Sequence, residues 1–134
     1  MKNLTIKTLL FLILLLVLTA TTCSKEKRYQ SIYIRNNSTK TIYFSVSQMY
    51  PDTTLKMVNS PKSLLSRKVL PNEKGSIFAY ATIGNSGIGQ IFIFDSNILE
   101  TEPWDSIVAN YMVIKRYQFN QLDLEKINWT ITYP

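Results

Sequence analysis

Histidine is absent from the 134-residue chain, and cysteine occurs once. The first absence removes the commonest general base and the commonest metal ligand. The second excludes an internal disulfide and a thiolate metal cage. Hydrolase and zinc chemistries are disfavoured on both counts, and no cofactor is implied. Also missing are an internal repeat, a low-complexity tract and a basic stripe. The 15 Lys+Arg against 9 Asp+Glu are scattered, with small clusters such as Lys25-Lys27-Arg28 and Lys115-Arg116, which argues against nucleic acid as a partner. The length suits one small domain.

What is present begins with an address. Lys2 and Lys7 precede an unbroken apolar run from Leu9 to Leu18, followed by Thr19-Ala20-Thr21-Thr22-Cys23. A spanning helix needs about 20 apolar residues, and this run is too short, so residues 1–22 read as a signal peptide. The single cysteine follows directly and resembles the lipidated cysteine of a bacterial lipobox, with Ala20 and Thr22 at the positions where that pattern carries Leu and a small residue. Cys23 is therefore expected to carry the lipid, and residues 23–30 to form a tether. Loss of Lys2 and Lys7 with the signal peptide lowers the net charge from +6 to +4. At about 0.8 kcal/mol per buried methylene, lipid rather than charge would then hold the protein to its membrane.

Residues 31–134 read as a single domain in which period-two alternation recurs. Ile32 and Ile34 oppose Tyr33 and Arg35, while Ile42, Phe44 and Val46 oppose Tyr43, Ser45 and Ser47. Asn36-Asn37-Ser38-Thr39 between them suggests a hairpin. Gln48 to Arg67 is a long connection containing Leu64-Leu65. Val69-Leu70, Ile77 to Ile83, Gln90 to Asp95, Met112 to Gln118 and Trp129 to Tyr133 read as further strands, the one at Gln90 to Asp95 central because it is apolar on both faces.

Two short helices are expected. One is capped by Thr101, with Trp104, Ile107, Val108 and Tyr111 along one face; the other opens at Asn120 with Asp123 as a capping box. With no helices long enough for parallel crossovers, the pattern predicts a mainly β fold, an antiparallel two-layer β-sandwich of immunoglobulin-like shape.

Candidate sites are few. Gly84 to Gly89 has the order G-x-x-G-x-G and opens a strand, which fits a turn rather than a phosphate loop. Asp95, Glu100, Glu102 and Asp105 crowd one stretch, but their spacing matches no calcium loop, and caps and surface roles account for Glu102 and Asp105. No metal site is assigned. Trp104 and Trp129 fall on apolar faces and read as core. Tyr33, Arg35 and Tyr43 oppose the isoleucines, so the expectation is a shared outer binding face on one hairpin.

Tyr50-Pro51-Asp52-Thr53-Thr54-Leu55, Ile114-Lys115-Arg116-Tyr117 and the closing stretch from Leu122 to Pro134 resemble a group of small uncharacterised lipoproteins of gut Bacteroidetes. The resemblance implies an outer-membrane lipid anchor. The basic Ser24-Lys25-Glu26-Lys27-Arg28, where an acidic cluster would accompany display outside the cell, implies the periplasmic side. It also implies O-glycan acceptors at Asp-Ser/Thr motifs, here Thr53 and Ser106, of which Thr53 lies in a loop and Ser106 in an expected helix. The functional expectation is a non-catalytic binding or structural module of the cell envelope, partnered by its membrane and by an envelope protein or a glycan. The competing readings are a small envelope enzyme using paired carboxylates on glycans and an inhibitor or immunity-type lipoprotein.

Overall fold

The computed structural model describes residues 30–63 and 67–134. The expected signal peptide, Cys23 with the expected tether up to Tyr29, and Leu64-Leu65 lie outside the described residues. The seven strands are β1 (Ser31–Asn36), β2 (Ile42–Ser47), β3 (Lys68–Val69), β4 (Lys74–Phe78), β5 (Gly89–Asp95), β6 (Lys115–Phe119) and β7 (Thr130–Tyr133). Helices α1 (Ser96–Thr101) and α2 (Trp104–Ala109) follow β5, and α3 (Gln121–Lys126) joins β6 to β7.

The strands form two sheets, ordered β4-β1-β7 and β3-β2-β5-β6. All pairings are antiparallel except β1 with β7, which run parallel with Tyr33 opposite Thr130. The fold is thus a mainly β, two-sheet sandwich. Ile32, Ile34 and Ile131 from the first sheet meet Ile42, Phe44, Ile91, Ile93 and Phe119 from the second in a core with Val69 and Leu124. Each such fully buried side chain contributes about 1.5–3 kcal/mol of transfer free energy.

The four-stranded sheet is covered on its other face as well. Tyr43, Phe92 and Phe94 point there and pack with Leu55 and Val58 from the long connection, Leu99 of α1 and Ile107 of α2. Trp104 meets Phe94 edge to face, ring centres 5.6 Å apart. Burial on both faces explains the unbroken apolar run of β5.

Three expectations are corrected. The β1–β2 hairpin does not form, because β1 is paired by β4 and β7 while β2 is paired by β3 and β5. The chain instead arches from one sheet to the other, and buried Asn36 holds the arch. Its amide nitrogen donates to the Lys40 and Val69 carbonyls at 2.7 and 3.1 Å, and its Oδ1 accepts from the Ser38 backbone N–H at 3.0 Å. Among the described residues there are also three short α-helices rather than two. Asp95 caps the additional one, its carboxylate accepting from Asn97 N at 2.8 Å. Pro103 rather than Thr101 caps α2, and the Thr101 hydroxyl donates back to the Asn97 carbonyl at 2.8 Å. The Asn120–Asp123 capping box is present at α3.

Candidate functional site

The outer face of the three-stranded sheet carries no covering layer among the described residues. Alternation along β1 turns Ile32 and Ile34 inward and leaves Tyr33 and Arg35 outward, with Tyr33 42% exposed. Register then assembles a surface from three strands. Ser76 of β4 and Thr130 of β7 flank Tyr33, and Lys74 and Thr132 flank Arg35.

Around Tyr33 the surface sinks into a groove of about 320 Å³, lined by Gln30, Ser31, Tyr33, Lys74, Asn128, Trp129 and Thr130. The Lys74 ammonium lies 6.0 Å from the centre of the Tyr33 ring. Among the described residues no lining side chain is acidic. Arg35 adds a second cation on the same face, its Nε donating to Asn37 Oδ1 at 3.0 Å. An aromatic ring beside an ammonium, rimmed by amides and hydroxyls, suits a polar ring-shaped ligand bearing negative charge.

One wall of the groove is backbone held in an unusual conformation. Helix α3 ends with Asn128 N donating to Glu125 O at 3.1 Å and Trp129 N donating to Leu124 O at 2.8 Å, the pattern of a left-handed helix stop. Asn128 tolerates its φ of 50° well, but Trp129 follows at 57°. A bulky residue there stores about 1–3 kcal/mol of strain. The Trp129 carbonyl then accepts from Tyr33 N at 2.8 Å, which fixes the strained turn directly beside the groove.

Tyr43 is not part of this face. It lies in the other sheet, 5% exposed, within the second core. The expectation that Tyr33, Arg35 and Tyr43 share one surface is therefore corrected: it assumed that β1 and β2 pair, and they do not. The Tyr43 hydroxyl instead donates to Glu100 at 3.3 Å, and Lys68 pairs with the same carboxylate at 3.0 Å. Lys68 is the main cause holding Glu100 below the usual carboxylate range, and Glu100 in turn raises Lys68.

The other acidic candidates are occupied separately. Asp95 caps α1 and pairs with Lys40 at 3.5 Å, Glu102 follows α1 as its exposed C-cap, and exposed Asp105 sits in the first turn of α2. Among the described residues no three His, Cys, Asp or Glu side chains converge. Thr53 is exposed on the long connection, next to a buried Asp52 whose Oδ1 accepts from Thr54 N and Leu55 N, each at 3.1 Å. Ser106 is half-buried within α2. Gly84 to Gly89 opens β5, and its hairpin character is limited to one bridge between Ile83 and Gly89.

Lys74, Asn128 and Thr130 were missed as site residues in the sequence. Nothing local marks them, because they reach Tyr33 only through the β4-β1-β7 order. Comparison of the chain with protein-family models, with curated proteins and with solved structures gives no match.

Proposed function

We propose that this chain is a non-catalytic binding module of the bacterial cell envelope, anchored by lipid at Cys23 on the periplasmic side of the outer membrane, with the Tyr33 groove as its ligand site. The ligand class is an acidic saccharide. One observation carries this reading: an exposed tyrosine ring with a lysine ammonium 6.0 Å from its centre, in a groove whose described lining is hydroxyls and amides without a carboxylate. A sugar ring stacks on an aromatic face, and a uronate or similar acidic group is complementary to Lys74 and Arg35. The address supports the same reading, since the envelope is where such saccharides are met.

Titration of the mature protein with an oligogalacturonide and with a neutral oligosaccharide of equal length tests it. The acidic chain binds and weakens as salt rises, because the ammonium contribution is screened. Equal or absent binding of both would exclude this ligand class.

A further inference from the structure

Strand pairing defines two ends of the sandwich. Pairing of Ser31 with Phe78, Ser47 with Gln90, Gly89 with Phe119 and Tyr33 with Thr130 gathers the starts of β1, β5 and β7 and the ends of β2, β4 and β6. One bond joins the ends of the two sheets, Gln48 Nε2 donating to Tyr80 O at 3.3 Å, while Ala79 N donates to Gln30 O at 2.8 Å within the three-stranded sheet.

Exposed apolar side chains collect on the segments at this end. Met49 and Tyr50 follow β2, Phe78 and Tyr80 close β4, and Leu122 and Ile127 border α3. Tyr80 is 63% exposed and stacks on Phe78 with ring centres 5.8 Å apart. The opposite end mixes charge with scattered apolar side chains: Lys40 is paired to Asp95, Glu73 is exposed, and Leu70, Ile98 and Ile114 are exposed singly. Methionine, phenylalanine and leucine beside tyrosines with polar tips is the chemistry of a surface resting at the headgroup boundary.

The chain reaches the domain at this same end, since Gln30 is bonded to Ala79 there. From Cys23 to Gln30 are seven residue steps, which span at most about 25 Å. The tether carries Lys25, Lys27 and Arg28 against one Glu26, which favours anionic headgroups. We infer that the Met49–Phe78–Tyr80 end of the sandwich rests on the lipid bilayer, so that the Tyr33 face stands to the side and the Lys40 end points away. This inference rests on the reading of Cys23 as the lipid anchor.

Its test uses the full chain, purified from the membrane and reconstituted in phosphatidylethanolamine–phosphatidylglycerol vesicles. Lipidation consumes the only native thiol, so Met49→Cys, Tyr80→Cys and Lys40→Cys each carry a single fluorophore. Palmitate incorporation is read first, then quenching by lipids spin-labelled near the headgroup. The expected result is strong quenching at Met49 and at Tyr80 and, at Lys40, a signal equal to that in lipid-free detergent. Palmitate incorporation with equal quenching at both ends overturns the orientation alone. Fluorophore self-quenching at Met49 without lipid quenching assigns the end to a second copy and also overturns it. Absence of palmitate incorporation removes the anchor, and this inference with it.

Discussion

Tyr33 and Tyr43 belong to different sheets, the first ring open to solvent on the outer face and the second enclosed between the four-stranded sheet and the Leu55–Val58 connection. The two tyrosines thus have separate work. Tyr33 is available to a ligand, and Tyr43 holds the layer that covers the second core.

The stability of Tyr→Ser variants separates them. Tyr43→Ser empties a well-packed site and costs about 3–5 kcal/mol, in the range of large-to-small aromatic truncations. Tyr33→Ser changes stability by about 0.5 kcal/mol or less, as exposed substitutions do. Urea denaturation of both variants is the measurement, and comparable losses would mean that Tyr33 is also covered.

The long connection depends on a buried side chain acting as a strand would. Gln90, fully buried on β5, accepts from Asp52 N at 2.8 Å and donates to Asp52 O at 3.3 Å. Gln90→Leu leaves Asp52 N without this partner and Asp52 O with Arg116 Nη1 at 3.5 Å, and costs about 1–3 kcal/mol. Hydrogen exchange then accelerates from Asp52 to Val58 ahead of the strands, and unchanged protection there would refute the role.

Tyr117 ties the two sheets across their edges, its hydroxyl donating to the Thr132 carbonyl at 2.9 Å. Burial first, and nearby Tyr133 second, raise its ionisation above the usual tyrosine range. A raised folded-state value means that the associated stability is fully present below pH about 10 and is lost as pH rises through the raised value. An alkaline absorbance titration should show one late-ionising tyrosine that disappears in Tyr117→Phe, with that variant less stable at neutral pH by about 1 kcal/mol.

What the sequence makes legible is local. The alternation of Ile32 and Ile34, the double-sided apolar run of β5 and the Asn120–Asp123 cap are each set by neighbours in the chain, and each is found in place. Pairing is not local. A polar four-residue link such as Asn36 to Thr39 serves a hairpin or an arch equally well, and only competition for the edges of β1 and β2 decides between them. The groove was half visible for the same reason. Tyr33 and Arg35 follow from the pleat, whereas Lys74, Asn128 and Thr130 arrive through β4 and a parallel β7.

Anchoring is tested at one atom. Wild-type protein should incorporate a palmitate analogue and partition into detergent, and Cys23→Ala should do neither. Soluble, unlabelled wild-type protein would remove the lipoprotein reading while leaving the groove in question untouched.

The proposed binding of an acidic saccharide at the outer face around Tyr33 is read from backbone amide shifts of the mature protein titrated with an oligogalacturonide. Shifts are expected only at Gln30–Arg35, Lys74 and Asn128–Thr130. They are expected to vanish in Tyr33→Ala and weaken in Lys74→Gln, with the fold unchanged. Shifts centred elsewhere, or equal binding by Tyr33→Ala, would contradict the proposal.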